Sequence, residues 1–241
     1  GLLYIALGDG GSAESGFAFL ADHQGSKIWS SIMRIDPAER NSKNGKYGIP
    51  ENNPFVGKAG KAEEVFAYGF RNPNRVFWDN TGRMFATEIG HHNVEELNRI
   101  EPGKFYGWPI REGSFIINPY GDMGSVYPIN DQDNKLDVTH PIIQIDHDEI
   151  AAIIGGYFMP SGPLEGKWVF GNITSGRLLF ADLSDLNNVP FKSWGITFQG
   201  KEMDLQELCG SKRVDLKFGQ DKTGQVYLMT KADGKIYKIK D

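Results

Sequence analysis

EVFAYGFRNPNRVFWDNTGRMFATEIGHHNVEELNRIEPGKFYGWP, residues 64–109, sets the architecture that we expect for this chain. Two strand-like runs flank the turn Asp79-Asn80-Thr81-Gly82, whose Asp and Gly supply the backbone freedom that a tight β-hairpin requires. A polar loop from Glu88 to Glu96 follows, and the stretch closes on Tyr106-Gly107-Trp108-Pro109. A purely structural hairpin does not need so many polar and aromatic groups, so we expect a functional site here.

The hairpin pattern recurs along the chain, which indicates a repeated β unit. Asp79–Phe85 matches Asp221–Tyr227 position by position in residue type, and Leu164–Phe170 is a looser copy. The spacing fits units of roughly 40–50 residues, the size of a β-propeller blade. The sequence therefore predicts an all-β protein with a β-propeller as the leading architecture, and a β-sandwich is the alternative.

The predicted strands are short, and β-branched or aromatic residues dominate them. They are Leu2–Leu7, Ile32–Ile35, Glu64–Phe70, Arg75–Trp78, Arg83–Thr87, Pro141–Ile145, Ile153–Met159, Lys167–Phe170, Arg177–Ala181, Val214–Phe218, Gln225–Thr230 and Lys235–Ile239. Val94–Ile100 and Met203–Leu208 are the segments predicted to form a short turn of helix. Gly8–Ser31 and Gly113–Thr139 are predicted irregular loops, and loops this long are usually functional or disordered.

The composition is that of a globular β protein. Of the 241 residues, 39% are hydrophobic and 24% are charged, and 30 glycines with 12 prolines indicate many tight turns. A net charge of −5 argues against a nucleic-acid surface, which needs clustered Lys and Arg. No apolar run approaches the length of a membrane span. The single cysteine, Cys209, gives neither a disulfide framework nor a cysteine-based metal site.

The chain opens directly on a strand-like segment, Gly1–Leu7. A domain rarely begins that abruptly, so we expect that residue 1 is not the biological start. If Gly1 is a hairpin glycine, its partner strand lies upstream. Nothing in the sequence indicates an oligomeric state.

Arg71-Asn72-Pro73 follows the run that ends at Tyr68-Gly69-Phe70. Pro73 forces Asn72 into an extended conformation, so the backbone directs the Arg and Asn side chains. The planar fork of donors on Arg71 is suited to carboxylates or quinone oxygens. The alternative is an arginine that ties a loop to backbone carbonyls, and the spacing alone does not separate the two roles.

The loop from Glu88 to Asn98 offers oxygen ligands for a hard cation. Calcium takes carboxylate, amide and backbone carbonyl oxygens from irregular loops, although this spacing matches no EF-hand. His91 and His92 raise the alternative of zinc, but adjacent residues on an extended chain point to opposite sides. At least one of the two histidines is therefore expected to be solvated.

Two further features leave alternatives open. Asp146-His147-Asp148 reads either as a histidine held for general-base work or, more often, as a polar turn. Tyr106 and Trp108 either line a pocket or hold a loop. The sequence contains no nucleophile elbow, P-loop or dinucleotide fingerprint.

Taken in order, the motifs of this chain resemble those of the soluble glucose/sorbosone dehydrogenase family, the quinoprotein aldose sugar dehydrogenases that use pyrroloquinoline quinone. Each motif alone is weak, but they run in the family's order over nearly the whole chain. They are Leu3–Gly11, Met33–Pro37, Ile49–Phe55, Tyr68–Pro73, Glu95–Asn98, Gly103–Pro109, Gly155–Tyr157, Val169–Asn172, Ser175–Arg177 and Tyr227–Tyr237.

The resemblance implies one domain over residues 1–241, built as a six-bladed β-propeller of which this N-terminally truncated chain supplies about four blades. It implies pyrroloquinoline quinone and calcium as cofactors, an aldose sugar or another small molecule as ligand, and a periplasmic or secreted location. The residues that match the family's cofactor contacts are Arg71, Asn72, Tyr106 and Arg177. Those that match its calcium loop are Glu88, Gly90, His91 and Asn98.

The implied reaction is oxidation of the anomeric hydroxyl of an aldose to a lactone, with hydride transfer to the quinone. The family's catalytic histidine precedes the Gly-Asp-Gly-Gly motif, here residues 8–11, so its place falls upstream of Gly1 and no catalytic residue is predicted in this chain. Phe158-Met159-Pro160 also stands where some members carry a cofactor-contacting lysine. The alternative function is a non-catalytic propeller that binds a ligand or a protein partner.

Overall fold

The fold is described from a computed structural model, which covers residues 1–130 and 135–240. Within these residues the chain forms nineteen strands and two short helices. The strands are β1 Leu3–Leu7, β2 Ser31–Ile35, β3 Val65–Tyr68, β4 Pro73–Trp78, β5 Met84–Glu88, β6 Val94–Ile100, β7 Arg111–Glu112, β8 Phe115–Ile116, β9 Tyr127–Pro128, β10 Ile143–Asp146, β11 Ile153–Phe158, β12 Trp168–Asn172, β13 Leu178–Ala181, β14 Phe191–Ser193, β15 Ile196–Phe198, β16 Lys201–Met203, β17 Leu216–Gln220, β18 Val226–Thr230 and β19 Lys235–Lys238. The helices are α1 Ala18–Ala21 and α2 Leu205–Cys209.

The chain divides into two compact units. The first comprises Gly1–Trp78 and Gly82–Gln144, and the second comprises Asp79–Thr81 and the chain from Ile145 onward. In the first unit β1-β2-β3 form one sheet and β7-β8-β9 a small one. The sheet β10-β6-β5-β4 has β4, β5 and β6 in this unit, and β10 begins in it at Ile143. In the second unit β11-β12-β13-β14 form a four-stranded sheet, β17-β18-β19 a three-stranded sheet and β15-β16 a hairpin.

The hairpin turns confirm the repeat that the sequence shows. Gly82, Gly166 and Gly224 all have positive φ, at 84°, 72° and 88°, the region that favours glycine. In two of these turns an Asp side chain accepts a hydrogen bond from the backbone N–H two residues on: Thr81 donates to Asp79 at 2.9 Å and Thr223 donates to Asp221 at 2.8 Å. The same residue types therefore make the same local turn twice.

One of the two helix predictions is wrong. Val94–Ile100 is strand β6, which pairs with β5 from Met84↔Ile100 to Glu88↔Glu96. The Glu-rich segment favours helix locally, but β6 lies between β5 and β10, and pairing on both sides outweighs that preference. The second helix prediction is confirmed: α2 begins after Asp204, whose side chain accepts from Glu207 N in a capping box.

Each unit has its own buried core. In the first, Phe66, Phe70 and Tyr106 pack with residues of β2, β5 and β6, and a smaller cluster joins Trp108 to Ala13 and Ala18. In the second, residues of β12, β17 and β18 pack under α2. The part of the chain that the structure describes contains no helix long and apolar enough to cross a lipid bilayer.

The all-β fold class and the short antiparallel strands are confirmed. The predicted irregular segment Gly8–Ser31 holds only the one-turn helix α1 before β2 begins. Gly113–Thr139 holds the two-residue strands β8 and β9, and its residues 131–134 lie outside the described residues. The single-domain organisation and the number of blades stay predictions.

Candidate functional site

A buried polar layer lies on one face of the β4–β6 part of the first unit. Glu88 at the end of β5 stands directly opposite Glu96 of β6, and Asn98 is two residues further along β6. Directly paired residues and residues two apart point to the same face of a sheet, so the three side chains share it. Their exposed fractions are only 4%, 6% and 0%.

Hydrogen bonds account for part of this layer but leave two oxygen atoms without partners. Glu88 Oε1 accepts from the backbone N–H groups of Arg71 and Asn72, and Glu96 accepts from Gly113 N at 2.6 Å and from Asn98 Nδ2 at 2.8 Å. Glu88 Oε2 and Asn98 Oδ1 are buried and have no hydrogen-bond partner among the described residues. When Glu88 is ionised both atoms are acceptors, and only a donor or a cation can then satisfy them.

The electrostatics of the layer favour a positive charge. Burial raises the pKa of Glu88 well above its usual 4.5, and the neighbouring Glu96 raises it further. Burial likewise raises the pKa of Glu96. Two carboxylates in one dry layer disfavour the ionised form unless a cation compensates.

A sharply wound loop, residues 89–93, connects β5 to β6 around the carboxylate of Glu112. Glu112 Oε1 accepts from the backbone N–H groups of His91, His92, Asn93 and Val94 at 2.8–3.0 Å, and Oε2 accepts from Asn93 Nδ2 at 3.1 Å. Burial raises the pKa of Glu112, but these hydrogen bonds lower it more, and the net shift is below 4.5. Glu112 therefore fixes the loop as an anion.

Gly90 lets this loop close. A Cβ atom on Gly90 would lie 1.8 Å from the carbonyl oxygen of Val94 and 2.8 Å from Glu112 Oε1, so no other residue fits without moving the backbone. Gly90 N donates to Glu95 Oε1 at 3.1 Å. A cation held by Gly90 would bind its carbonyl oxygen, since Gly90 offers no side chain.

The winding of the loop corrects one part of the expectation for the two histidines; the other part is confirmed, because His92 is exposed. The rings of His91 and His92 do not point to opposite sides; their centroids are 4.0 Å apart. The chain is bent around Glu112 here rather than extended, so the alternation of a strand does not apply. Within residues 1–130 and 135–240, no three His, Cys, Asp or Glu side chains are grouped to hold a metal ion.

Arg71 lies beside this layer at the start of the polar turn before β4. Its Nη1 donates to the carbonyl of Ile89 at 3.2 Å, and its guanidinium lies 5.9 Å from the centre of the Trp108 ring. Arg71 thus ties the loop to a backbone carbonyl, which is the alternative role that the sequence left open. Only its Nη1 atom makes this contact, so the other nitrogen atoms of the guanidinium are not needed for it. Nε is buried and has no partner among the described residues, and Asn72 next to it is exposed.

Tyr106 lies in the core of the first unit. Its ring stacks on Phe70 with 4.6 Å between centroids, and it is 4% exposed. Its hydroxyl donates to Arg99 O at 2.7 Å and accepts from Glu101 N at 2.9 Å. This arrangement supports a packing role for Tyr106, and its predicted cofactor contact stays a prediction.

Arg177 belongs to the second unit, where it lines a cavity of about 750 Å³ together with Trp194, Glu202 and Gln206. Its Nη2 donates to Ser193 Oγ at 2.9 Å, and its Nη1 lies 3.5 Å from Glu149 Oε2. The side chain of Arg177 is 41% exposed. The structure thus brings Arg71, Glu88, Gly90, His91 and Asn98 together in the first unit, and Arg177 is described separately in the second.

The triplet Asp146-His147-Asp148 forms the polar turn that the sequence favoured. Asp146 Oδ1 accepts from Asp148 N at 2.8 Å, and Asp146 O accepts from the N–H groups of Glu149 and Ile150. The turn is closed by its own backbone.

The donor set of the first unit fits a calcium ion. Calcium accepts six to eight oxygen ligands, among them carboxylate, amide and backbone carbonyl oxygens. The two unpartnered atoms, Glu88 Oε2 and Asn98 Oδ1, are a carboxylate oxygen and an amide oxygen, and the 89–93 loop adds carbonyl groups.

Three residues of the site were missed by the sequence reasoning. Glu112 acts on the loop some twenty residues before it, Asp9 accepts from Trp108 Nε1 at 3.0 Å, and Glu14 pairs with Arg71. Asp9 had a signal, since it lies in the Gly-Asp-Gly-Gly motif. Glu14 and Glu112 had none, because each contacts its partner only in the folded chain.

Comparison with known proteins gives the following likenesses. The sequence model described as Glucose / Sorbosone dehydrogenase matches residues 1–238. HIPL2 protein from Arabidopsis thaliana is 30% identical over 267 residues, a match that covers 99% of this chain and 37% of that protein. The chain thus spans little more than a third of the length of this relative.

Solved structures share the fold. The apo-form of soluble aldose sugar dehydrogenase from Escherichia coli superposes with a TM-score of 0.69 at 20% identity, covering 99% of this chain and 60% of that one. The PQQ-bound aldose sugar dehydrogenase from Streptomyces coelicolor gives a TM-score of 0.58 at 23% identity, covering 98% and 57%. At these identities the likeness shows the fold alone.

Proposed function

Because the chain belongs to the glucose/sorbosone dehydrogenase family, we propose that the protein is a quinoprotein sugar dehydrogenase. It would oxidise the anomeric hydroxyl of an aldose to a lactone, with pyrroloquinoline quinone and calcium as cofactors. The observation that carries the proposal is the pair of buried acceptor atoms, Glu88 Oε2 and Asn98 Oδ1, beside the buried Nε of Arg71. An unsatisfied acceptor pair next to an unsatisfied donor fits a cation together with an anionic ligand.

Within this proposal the residues have separate tasks. Glu88 and Asn98 hold calcium with the carbonyl groups of Gly90 and His91, and Glu112 keeps the loop in place. Arg71 binds a carboxylate of the quinone, and the exposed Asn72 adds a donor beside it. When bound, the quinone with its calcium supplies the hydride acceptor and the Lewis acid that the reaction needs.

Two assignments carry over from the resemblance with weaker support. Arg177 lines the cavity of the second unit and is proposed to bind a carboxylate of the cofactor there. Tyr106 is proposed as a cofactor neighbour only through its motif, because its hydroxyl is already paired twice. We assign no catalytic base to this chain.

The architecture that we propose is a six-bladed β-propeller to which this chain contributes about four blades in one domain. The support is the larger sheets of three or four strands, together with the fold shared with the two aldose sugar dehydrogenase structures. A periplasmic or secreted location follows from the same family and is part of the proposal.

Quinone uptake and sugar-dependent dye reduction by the protein test this function. Mixed with pyrroloquinoline quinone and calcium, the protein is expected to shift the quinone spectrum and to reduce a dye when an aldose is added. The Arg71→Ala variant should lose quinone uptake. Arg40→Ala is the matched control, because Arg40 is an exposed arginine of the same unit that donates to the nearby carbonyls of Pro37 and Glu39.

The outcomes separate the two functions that the sequence left open. Uptake with dye reduction supports the dehydrogenase. Uptake without dye reduction for any aldose supports a propeller that binds its ligand without turnover. If the protein shows neither quinone uptake nor dye reduction, the proposed function is wrong.

A further inference from the structure

Arg71 has an internal partner that the predicted site does not include. Its Nη2 donates to Oε1 of Glu14, which lies on the long loop between β1 and β2. The side chains of Arg71 and Glu14 are 18% and 35% exposed, so the pair sits at the boundary between the interior and the solvent. Partial burial raises the pKa of Glu14, but the hydrogen bond and charge of Arg71 lower it more, and the net shift is below its usual value.

The way in which Glu14 meets the guanidinium leaves room for a better partner. Nε and Nη2 lie on the same edge of the planar group, and a carboxylate binds this edge most strongly with both oxygens. Glu14 engages Nη2 through one oxygen, and that same oxygen lies 3.4 Å from His91 Nδ1. Nε meanwhile is buried without a partner among the described residues. Of the two donors on this edge, Nη2 therefore has a hydrogen-bond partner and Nε has none among the described residues.

Space for a ligand adjoins Glu14, the partner of Arg71. A cavity of about 430 Å³ is lined by Glu14, Gly16 and His91 and by residues 119–121, 123 and 124. The Trp108 ring lies 5.9 Å from the Arg71 guanidinium.

We propose that Glu14 is an internal competitor for Arg71: it occupies the Nη2 position in the ligand-free protein and is displaced when a ligand carboxylate binds the Nε/Nη2 edge with both oxygens. The inference rests on the proposed role of Arg71 as a carboxylate-binding residue of the site. It makes Glu14 a specificity-determining residue. A neutral ligand, or one that accepts a hydrogen bond from Nη2 alone, gains too little free energy to displace Glu14. A carboxylate that accepts from both Nη2 and Nε gains one more hydrogen bond than Glu14 makes.

The competition lowers the apparent affinity for every carboxylate ligand by the cost of opening the ion pair. Removing the charge of Glu14 removes that cost. We expect the Glu14→Gln variant to bind pyrroloquinoline quinone, which carries three carboxylates, about tenfold more tightly in the presence of calcium, equivalent to about 1.4 kcal/mol.

Equilibrium dialysis of the quinone tests this with matched controls. Glu51→Gln removes the charge of an exposed acid in the same unit and should leave the affinity unchanged. The trimethyl ester of the quinone lacks free carboxylates, so its affinity should be the same for the native protein and for Glu14→Gln. Equal quinone affinity in the native protein and the Glu14→Gln variant would overturn the inference while leaving the proposed function intact.

A second readout needs no quinone. The rate at which phenylglyoxal modifies Arg71, followed by mass spectrometry, reports how accessible its guanidinium is. We expect a several-fold faster rate in Glu14→Gln than in the native protein or in Glu51→Gln, and slowing of that rate by isophthalate. If no variant takes up quinone but this pattern holds, the proposed function fails and the competition stands. Equal modification rates in the native protein and Glu14→Gln would refute the competition whatever the quinone does.

Discussion

Asp9 accepts a hydrogen bond from the indole of Trp108, with 3.0 Å between Oδ2 and Nε1 and a separation of 99 positions in the chain. Both residues are buried, and the same carboxylate accepts from the backbone N–H groups of Gly11 and Ala13. This bond fixes the loop that carries Glu14 against the aromatic residue that lies beside Arg71. The contact thus joins two segments of the first unit that are far apart in sequence.

Replacing Asp9 by Asn should loosen this loop. The variant keeps the shape of the side chain but loses its charge and one acceptor oxygen, so we expect the free energy of unfolding to fall by about 1.5–3 kcal/mol. Urea denaturation measures the change. Asp22→Asn, at an exposed aspartate of the same loop, should stay within about 0.5 kcal/mol of the native protein. Equal effects of the two substitutions would contradict the role given to Asp9.

Glu88→Gln should separate the structural from the cation-binding role of the buried carboxylates. Its amide oxygen can keep the two backbone hydrogen bonds that Glu88 Oε1 accepts, and the repulsion with Glu96 disappears. At pH 8 without divalent cations the variant is expected to be more stable than the native protein, because burial and Glu96 raise the pKa of Glu88 and disfavour its ionised form.

Calcium should stabilise the native protein more than the variant. A ligand at a hundred times its dissociation constant stabilises the folded state by about 2.7 kcal/mol, which the native protein should gain and Glu88→Gln should largely lose. Thermal unfolding with and without calcium measures both. Equal calcium stabilisation of the native protein and the variant would exclude Glu88 as a ligand.

Gly90→Ala should disrupt the loop between β5 and β6. The added methyl group would overlap the Val94 carbonyl, 1.8 Å away, so the backbone must move, at a cost of about 3 kcal/mol or more. Gly195→Ala is the control, because a Cβ there meets open space and its φ is not positive. Chemical denaturation of both variants provides the comparison, and a Gly90→Ala protein as stable as the control would mean that the loop is less tightly wound than described.

Glu112 predicts a specific dependence of stability on pH. Its pKa is lowered in the folded state, so the stability that it contributes is complete above the unfolded value of 4.5 and is lost as the pH falls through the folded pKa. Glu112→Gln should cost about 1.5–3 kcal/mol at pH 7. That difference should shrink below pH 4.5. Unfolding free energies of the two proteins measured from pH 7 to pH 3 check this, and a constant difference would contradict the assignment of the anionic form.

Tyr106→Phe decides between the packing role of Tyr106 and its predicted cofactor contact. The variant loses the bonds to Arg99 O and Glu101 N while keeping the ring on Phe70, so stability should fall by about 1–2 kcal/mol. Quinone affinity, measured by dialysis under conditions where the variant is folded, should be unchanged. A large loss of affinity without a loss of stability would instead establish the cofactor contact.

The strands were predictable because alternation and turn chemistry act locally. Gly82 and Gly224 end hairpins with the same Asp-to-backbone bond, as the repeated motif predicted. Strand β6, Val94–Ile100, was not predictable, because its Glu and Leu residues favour helix in isolation. Only pairing with β5 and β10 makes the segment a strand.

The candidate site was predictable only where a motif carries it. Arg71, Glu88 and Asn98 lie within one continuous stretch, and the structure brings them together as that stretch folds. Glu14 lies 57 positions from Arg71 and Glu112 lies 19 from Asn93, and neither stands in a recognisable pattern. Contacts of this kind arise from the packing of loops on sheets, which no local propensity describes.

The position of a bound calcium ion is the result on which the proposed site depends. Crystals of the protein grown with calcium and pyrroloquinoline quinone would show the ion by its anomalous scattering. The proposal predicts a peak within about 2.3–2.6 Å of Glu88 Oε2 and Asn98 Oδ1, the ordinary calcium–oxygen distance. A calcium ion bound away from the Glu88–Asn98 loop, with both of those oxygen atoms still without a partner, would contradict it.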